Sequence, residues 1–302
     1  MIHTRDAIKG SNQEIDQRER KTAIIIVTYN RVPNLENLRS CLNYVDYIFI
    51  IDNGSKCEVI ENLKIFASDC EGRIFLHFNK TNLGLSTTIN AAVELFYKYG
   101  IYWFYIFDQD AIVDKMLFSE TRKIWDQCKA AKWNVGIVVP IVGDQEVLLG
   151  QNLKLKRHIS RINSAITSGI FTNLDIFKEI GGFDESYFVY GVDIDFTLRV
   201  RRKGYEIFRI NTIYLIQSFG NPISDDSSQF KLFVKLSKIY SLLNIRLNMV
   251  NSYHSIGYGY SQKLLNVQLD TSRQINRKYK RIVAEIYRLG QKYISPLLRK
   301  GY

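Results

Sequence analysis

Short apolar runs alternate with polar turns through the first hundred residues. Ala23–Val27 is an unbroken, β-branched-rich stretch that reads as a strand buried on both faces, and it stops at Thr28-Tyr29-Asn30-Arg31. Tyr47–Ile51 stops at Asp52-Asn53-Gly54-Ser55, a run of turn formers. Ile74–Phe78 gives way to Asn79-Lys80-Thr81-Asn82-Leu83-Gly84, and Trp103–Phe107 runs into Asp108-Gln109-Asp110. Between these runs the spacing predicts helices from Asn34 to about Cys41 and from Ser86 to Tyr99. Strands alternating with helices, each strand closed by a polar loop, describe a parallel α/β sheet. Ligands of such sheets bind beyond the carboxyl ends of the strands, and all four polar clusters fall there.

The second half has a different rhythm. Val135–Val142 and Ile166–Phe171 read as strands, and Asp175–Ile180 as a short helix closed by Gly181-Gly182. A helix from about Asp193 to Lys203 ends at Gly204. From Gln229 to Val250 the spacing is again helical, with Phe233, Leu236, Tyr240, Leu243 and Leu247 near one face and Lys231, Lys235 and Lys238 in a stripe. Ser272–Lys300 alternates basic residues with Ile275, Ile282, Val283, Ile286, Leu289, Ile294 and Leu297, a basic amphipathic pattern.

Charge sharpens this division. The 302 residues, 46% of them hydrophobic, exclude a disordered or collagenous chain, and the net charge is +11. Residues 1–230 hold 27 Lys+Arg against 28 Asp+Glu, whereas 231–302 hold 14 against 2. The chain is expected to divide into a flexible polar arm (1–20), an α/β domain (21–220) and a helical, basic region (221–302). Such a basic block suits an anionic partner, either a lipid surface or a nucleic acid. The longest apolar runs, such as Ile101–Phe107, fall well short of the roughly 20 residues of a membrane helix. Cys41, Cys57, Cys70 and Cys128 show no CxxC spacing. With no secretory signal, reduced thiols in a cytoplasmic protein are expected.

The chemistry is concentrated in the strand-end clusters. Asp108 and Asp110, one residue apart, can meet a divalent ion held by a diphosphate, since Mg²⁺ is usually bound by one or two carboxylates plus substrate phosphates. A bare D-x-D is equally a solvated acidic turn. Asp52 offers a carboxylate to a base N–H or a ribose hydroxyl, or it merely closes an Asx turn. Thr28, Asn30 and Arg31 supply a hydroxyl, an amide and a cation at the neighbouring strand end, where a plain surface turn is the alternative. Asn82 and Gly84 precede a helix N-terminus, which attracts anions. There is neither G-x-G-x-x-G nor a P-loop. Asp193 at a helix start suits a general base or a cap; Asp195 suits the helix dipole, and Arg199 and Arg202 suit pairing with acids.

In order and spacing, the series IIIVTYNR, IIDNGS, NKTNLGL, FDQD, TSGIFTN and IGGFDESYFVYGVDIDFTLR resembles the inverting nucleotide-sugar glycosyltransferases of family 2. The resemblance spans roughly Thr22 to Gly220. The aromatic-DQD and V-D-x-D forms are most similar to bacterial rhamnosyltransferases of O-antigen and capsule polysaccharide assembly, and Lys238–Arg246 is similar to a helix that follows the core in that branch.

The resemblance implies a GT-A fold, a Rossmann-like mixed sheet flanked by helices. It implies that Thr28, Asn30, Arg31 and Asp52 hold the base and ribose, with Asn82 and Gly84 near the diphosphate. Asp108 and Asp110 would position a Mg²⁺- or Mn²⁺-diphosphate, with Asp108 also contacting the nucleotide-sugar. Asp193 would be the catalytic base, and Thr167, Ser168 and Gly169 would line the acceptor side. Two departures stand out: Val192 replaces the usual Glu, and Gln217 stands where relatives often carry a metal-contacting His. The Q-x-x-R-W motif of processive members is absent, which implies single-sugar transfer.

The donor expected from the resemblance is dTDP-rhamnose, with a UDP-hexose as the alternative. The expected acceptor is a lipid-linked saccharide on the cytoplasmic face of the membrane, whose anionic surface would attract the basic region. A nucleic-acid-binding protein is the rival from another class, motivated by pI 9.3 and by Tyr279, Tyr287 and Tyr293 in the basic block. The neutral first 230 residues and their acidic cleft argue against it, so no nucleic-acid partner is expected. A nucleotidyltransferase would also pair strand-end carboxylates but leaves GGFDE and VDID unexplained.

Overall fold

The structure is a computed structural model that describes residues 20–143, 158–185, 187 and 191–217. All but the last residue of the expected N-terminal arm, and the whole expected basic region at 221–302, lie outside the described residues.

β1 (Lys21–Thr28) contains four consecutive core residues, Ala23 to Ile26, each at most 1% exposed. That burial on both faces is what its continuous apolar run requires. It lies between β2 (Tyr47–Asp52) and β4 (Ile101–Asp108), both parallel to it, and β3 (Ile74–Phe78) continues the parallel order beyond β2. Helices α1 (Leu35–Cys41), α2 (Cys57–Ser68), α3 (Leu85–Glu94) and α4 (Phe96–Tyr99) make the crossovers. Asn34 caps α1 by accepting from Asn37 N–H. α3 and α4 divide the expected Ser86–Tyr99 helix at Leu95, and Gly100 in the left-handed region closes it.

Beyond β4 the sheet becomes mixed. After β5 (Ile112–Val113), α5 (Met116–Ala130) carries Leu117, Phe118, Thr121, Ile124, Trp125 and Cys128 at helical spacing on its buried face. β6 (Val135–Gly143), β7 (Ile159–Ile162) and β8 (Ile170–Asn173) follow, then α6 (Leu174–Ile180), α7 (Val192–Arg202) and β9 (Glu206–Ile216). The nine strands run β3-β2-β1-β4-β8-β6-β9-β5, with β7 also pairing β9. β8 is antiparallel to both β4 and β6, while β9 runs parallel to β6. The expected strand from Ile166 begins only at Ile170, because Gly169 (φ +89°) turns the chain there.

This topology collects one edge. Thr28 pairs with Asp52 and Val27 with Asp108, so the parallel strands end side by side. The antiparallel β8 brings its beginning to the same edge, since Ile170 pairs with Ile106. β9 brings its end there, with Gln217 following Ile216. Aromatic packing beneath this edge is dense: Trp103 stacks on Phe171 with ring centroids 5.3 Å apart, and Tyr105 lies 4.6 Å from Phe171.

Candidate active site

Three carboxylates from two separate elements meet at this edge. Asp108 is the last residue of β4; its backbone N–H donates to Ser168 Oγ (3.1 Å), and Gly169 N–H donates to Ile106 O (2.8 Å). β8's approach thus fixes the end of β4. Gln217 Nε2 donates to Asp108 Oδ2 at 2.6 Å, while Gln217 Oε1 is buried without a partner. Burial pushes the Asp108 carboxyl up to about 6; the bond from Gln217 opposes this, and the negative charges of Asp110 and Asp193 add to it. Asp110 is also raised, by burial, against the pull of Arg31, whose Nη1 lies 3.6 Å from Asp110 Oδ2.

Asp193 reaches the cluster from the first turn of α7, which starts at Gly191 in the left-handed region (φ +85°). Its Oδ1 accepts from Ile194 N–H (2.8 Å), and burial raises its carboxyl above the usual range. Val192, in place of an acid, is 2% exposed and adds apolar surface beside it. Asp195 serves the scaffold instead. It is 3% exposed and accepts from Arg199 Nε (2.8 Å), whose Nη1 in turn donates to Ile180 O (2.8 Å). That ion pair ties α7 to the end of α6.

The other expected positions form a second group around the ends of β1 and β2. Asp52 Oδ1 accepts from Thr28 Oγ1 (3.2 Å) and Oδ2 from the N–H groups of Gly54 (3.0 Å) and Ser55 (2.8 Å). Asp52 is 1% exposed. The carboxylate therefore anchors an Asx turn, one of the two roles its sequence allowed. Asn30, at φ +51°, accepts from Lys56 N–H and donates its own N–H to Ser55 Oγ (2.7 Å). Asn82 Oδ1 accepts from Gly84 N–H (3.0 Å), and Gly84 caps α3 at φ +84°. Thr167 and Ser168 are buried beside Asp108 on the β8 approach.

Asn53 is a member of this group that motif reading passes over. It is 3% exposed; Nδ2 donates to Gly84 O (3.2 Å), and Oδ1 accepts from Asn79 Nδ2 (2.9 Å) and Thr88 Oγ1 (2.8 Å). One side chain thereby joins the ends of β2 and β3 to the start of α3. The available signal was its place inside the Asp52–Ser55 turn. Asn90 does similar work on α3: its amide exchanges hydrogen bonds with Phe183 N–H (2.9 Å) and O (2.8 Å), docking the Gly181–Glu185 loop.

Residues 23–161 match the family described as "Glycosyl transferase family 2". Residues 23–161 form a family 2 glycosyltransferase domain. Over 215 residues the transferase is 22% identical to the dTDP-rhamnosyl transferase RfbF of Shigella flexneri, covering 65% of this chain and 69% of that protein. Among solved structures it resembles S. aureus TarS 1-349 with a TM-score of 0.58 at 11% identity, covering 92% of this chain and 83% of that one. The same TarS segment in complex with UDP gives 0.53 at 11% identity, covering 82% and 70%. A longer TarS chain gives 0.57 at 11% identity over 85% of this chain, which spans only 44% of that chain's length. At such identity the likeness concerns the fold, and the fold is GT-A.

The donor set of the transferase fits a hard divalent cation. Asp108 and Asp110 are acids whose ionised forms burial disfavours, and Asp108 also feels its like-charged neighbours. Gln217 Oε1 is a buried oxygen with no partner beside them. Oxygen ligands of this kind suit Mg²⁺ or Mn²⁺. No group of three or more His, Cys, Asp or Glu placed to hold a metal occurs among the described residues, so ligand phosphates and water would complete the shell. All four cysteines are free thiols, three of them buried, and none belongs to the site. Among the described residues no helix is long and apolar enough to cross a membrane.

Proposed function

We propose that this transferase moves a single sugar, L-rhamnose from dTDP-rhamnose, to a hydroxyl of a lipid-linked saccharide with inversion at the anomeric carbon. The observation that carries the chemistry is the meeting of Asp193, delivered by α7, with the Asp108–Asp110 turn at the end of β4. The 22% identity to a dTDP-rhamnosyl transferase supports the donor, and a UDP complex of a similarly folded protein supports a nucleotide-sugar in general. A UDP-hexose is therefore the second reading of the donor.

The acceptor oxygen attacks the anomeric carbon from the face opposite the leaving group. The new C–O bond forms as the bond to the diphosphate oxygen breaks, and the acceptor proton passes to the Asp193 carboxylate. Desolvation raises the proton affinity of that carboxylate, which strengthens it as a base. Thr28, Asn30, Arg31 and Asp52 receive the nucleoside, directly or by shaping the loops that do. Asn82 and Gly84, at the head of α3, face the diphosphate with the positive end of the helix dipole. Asp108 and Asp110 would hold a divalent cation, which would supply neutralisation of charge on the leaving group. Thr167, Ser168 and Gly169 border the acceptor. The basic residues 231–302 draw the protein to the anionic cytoplasmic face of the membrane, where lipid-linked acceptors of cell-surface polysaccharide synthesis reside.

A donor panel tests the proposal: dTDP-rhamnose, UDP-glucose, UDP-galactose, UDP-N-acetylglucosamine and GDP-mannose, each with Mn²⁺, read by thermal shift. Stabilisation by dTDP-rhamnose that disappears in Asp110→Ala is the expected result. Stabilisation by a UDP-hexose alone would replace the donor, and indifference to every donor would overturn the nucleotide-sugar reading.

A further inference from the structure

The turn that follows β1 is fixed at its backbone and free at its tip. Tyr29 N–H donates to Gln109 Oε1 (2.8 Å), inside the Asp108–Asp110 turn. On its other side, Asn30 N–H donates to Ser55 Oγ (2.7 Å) and Asn30 Oδ1 accepts from Lys56 N–H (3.0 Å). Two neighbouring loops thus clamp the turn. Arg31 comes next, with its side chain 52% exposed and its guanidinium resting on Asp110, whose side chain is only 10% exposed. The Arg31 Cα is therefore anchored at the rim of the carboxylate cluster while its charged head has open solvent to move through.

A divalent cation ligated by Asp110 and the Arg31 guanidinium compete for one carboxylate. Like charges repel, so the ion must displace the guanidinium. A guanidinium released at this rim is a planar, fork-shaped donor suited to phosphate oxygens. We propose that Arg31 is an exchange residue: it neutralises Asp110 until a divalent cation takes that carboxylate, and then turns to a phosphate oxygen of the nucleoside diphosphate. This rests on the nucleotide-sugar reading of the cleft. It makes the two ligands cooperative, because binding the cation frees the side chain that grips the nucleotide, and the coupling must be reciprocal.

The test uses the full chain and its Arg31→Met and Arg31→Lys variants, with Mn²⁺ affinity read from the electron paramagnetic resonance signal of the free ion. Mn²⁺ is titrated alone, and dTDP (then UDP) is titrated at saturating Mn²⁺. Losing a cation that competes with the ion should let Arg31→Met bind Mn²⁺ alone about three- to tenfold tighter than the parent. The same variant should bind dTDP about three- to tenfold more weakly once Mn²⁺ is present. Opposite signs are the signature, since a merely structural role would weaken both. Arg31→Lys, which keeps the charge, should hold Mn²⁺ affinity near the parent's. Measurable but equal Mn²⁺ affinity in parent and Arg31→Met overturns the exchange while leaving the cation site standing. Failure of parent and variant alike to bind Mn²⁺, even with nucleotide, overturns the exchange and the cation site together.

Discussion

Replacing Asp108 by Asn should make the transferase more stable while disabling it. The folded Asp108 carboxyl titrates near about 6 against an ordinary 3.8, because it is buried and faces Asp110 and Asp193. Between those two values the folded chain holds a proton that the unfolded chain has lost, so stability falls as pH rises through that window. Above it the whole penalty is in force. At about 1.4 kcal/mol per pH unit the penalty approaches about 3 kcal/mol at pH 7.5. Asparagine keeps an oxygen to accept from Gln217 Nε2 and carries no charge to bury. The assay is urea unfolding of parent and variant in EDTA at pH 7.5, 6 and 4. Asp108→Asn should gain about 1–3 kcal/mol at pH 7.5, a rise of roughly 2–10 °C in Tm, and the gain should shrink to near zero by pH 4. A variant less stable than the parent at pH 7.5, or a gain that ignores pH, would refute the reasoning. Such an exchange of stability for charge is what a working site exhibits.

Asp193→Asn should abolish sugar transfer while leaving the affinity for the nucleotide-sugar, measured by calorimetry, within about twofold. Gly169→Ala should destabilise the fold by about 2–4 kcal/mol in urea unfolding: its φ of +89° disfavours any side chain, and a Cβ there would meet Pro140 Cδ at 2.7 Å. Asn53→Ala should also lose about 1–3 kcal/mol by removing the buried amide that joins the turn after β3 to the start of α3, although Thr88 Oγ1 keeps its bond to Gly84 O. A chain of parent stability in that variant would show that water replaces the amide.

The sequence made the parallel half legible because its strands are buried on both faces. Ile24, Ile50 and Phe104 sit in unbroken apolar runs that leave little choice of element. The mixed half was harder. β9 includes Arg209, Asn211 and Thr212, which obscure the strand until the pairing that shelters Asn211 is known. α5 was readable from Leu117, Thr121, Ile124 and Cys128, yet its overall polarity hides it from any search for apolar runs. At the candidate site, motif spacing picked out Asp108, Asp110 and Asp193, which the fold brings together, but not the division of labour among polar groups. Only coordinates show that Asp52 is occupied by its own turn, that Asn53 is the joint between three elements, and that Asp195 belongs to Arg199.

Where β9 runs beside β6, partners advance from Val139–Arg209 to Ile141–Tyr214, two steps on one strand against five on the other. The excess is an odd number of residues, and side chains alternate faces at each step along a strand. Parity beyond the irregularity therefore decides which way the strand's last residues point, and Gln217 inherits its aim at Asp108 from that arithmetic. Removing one residue between Arg209 and Tyr214 would slip the strand's last residues one place against β6 and turn Leu215 outward with Gln217. Removing two would keep the phase. The carboxylate cluster is thus tuned from several residues away by whether a count is odd or even, a constraint on insertions and deletions that no single side chain reveals.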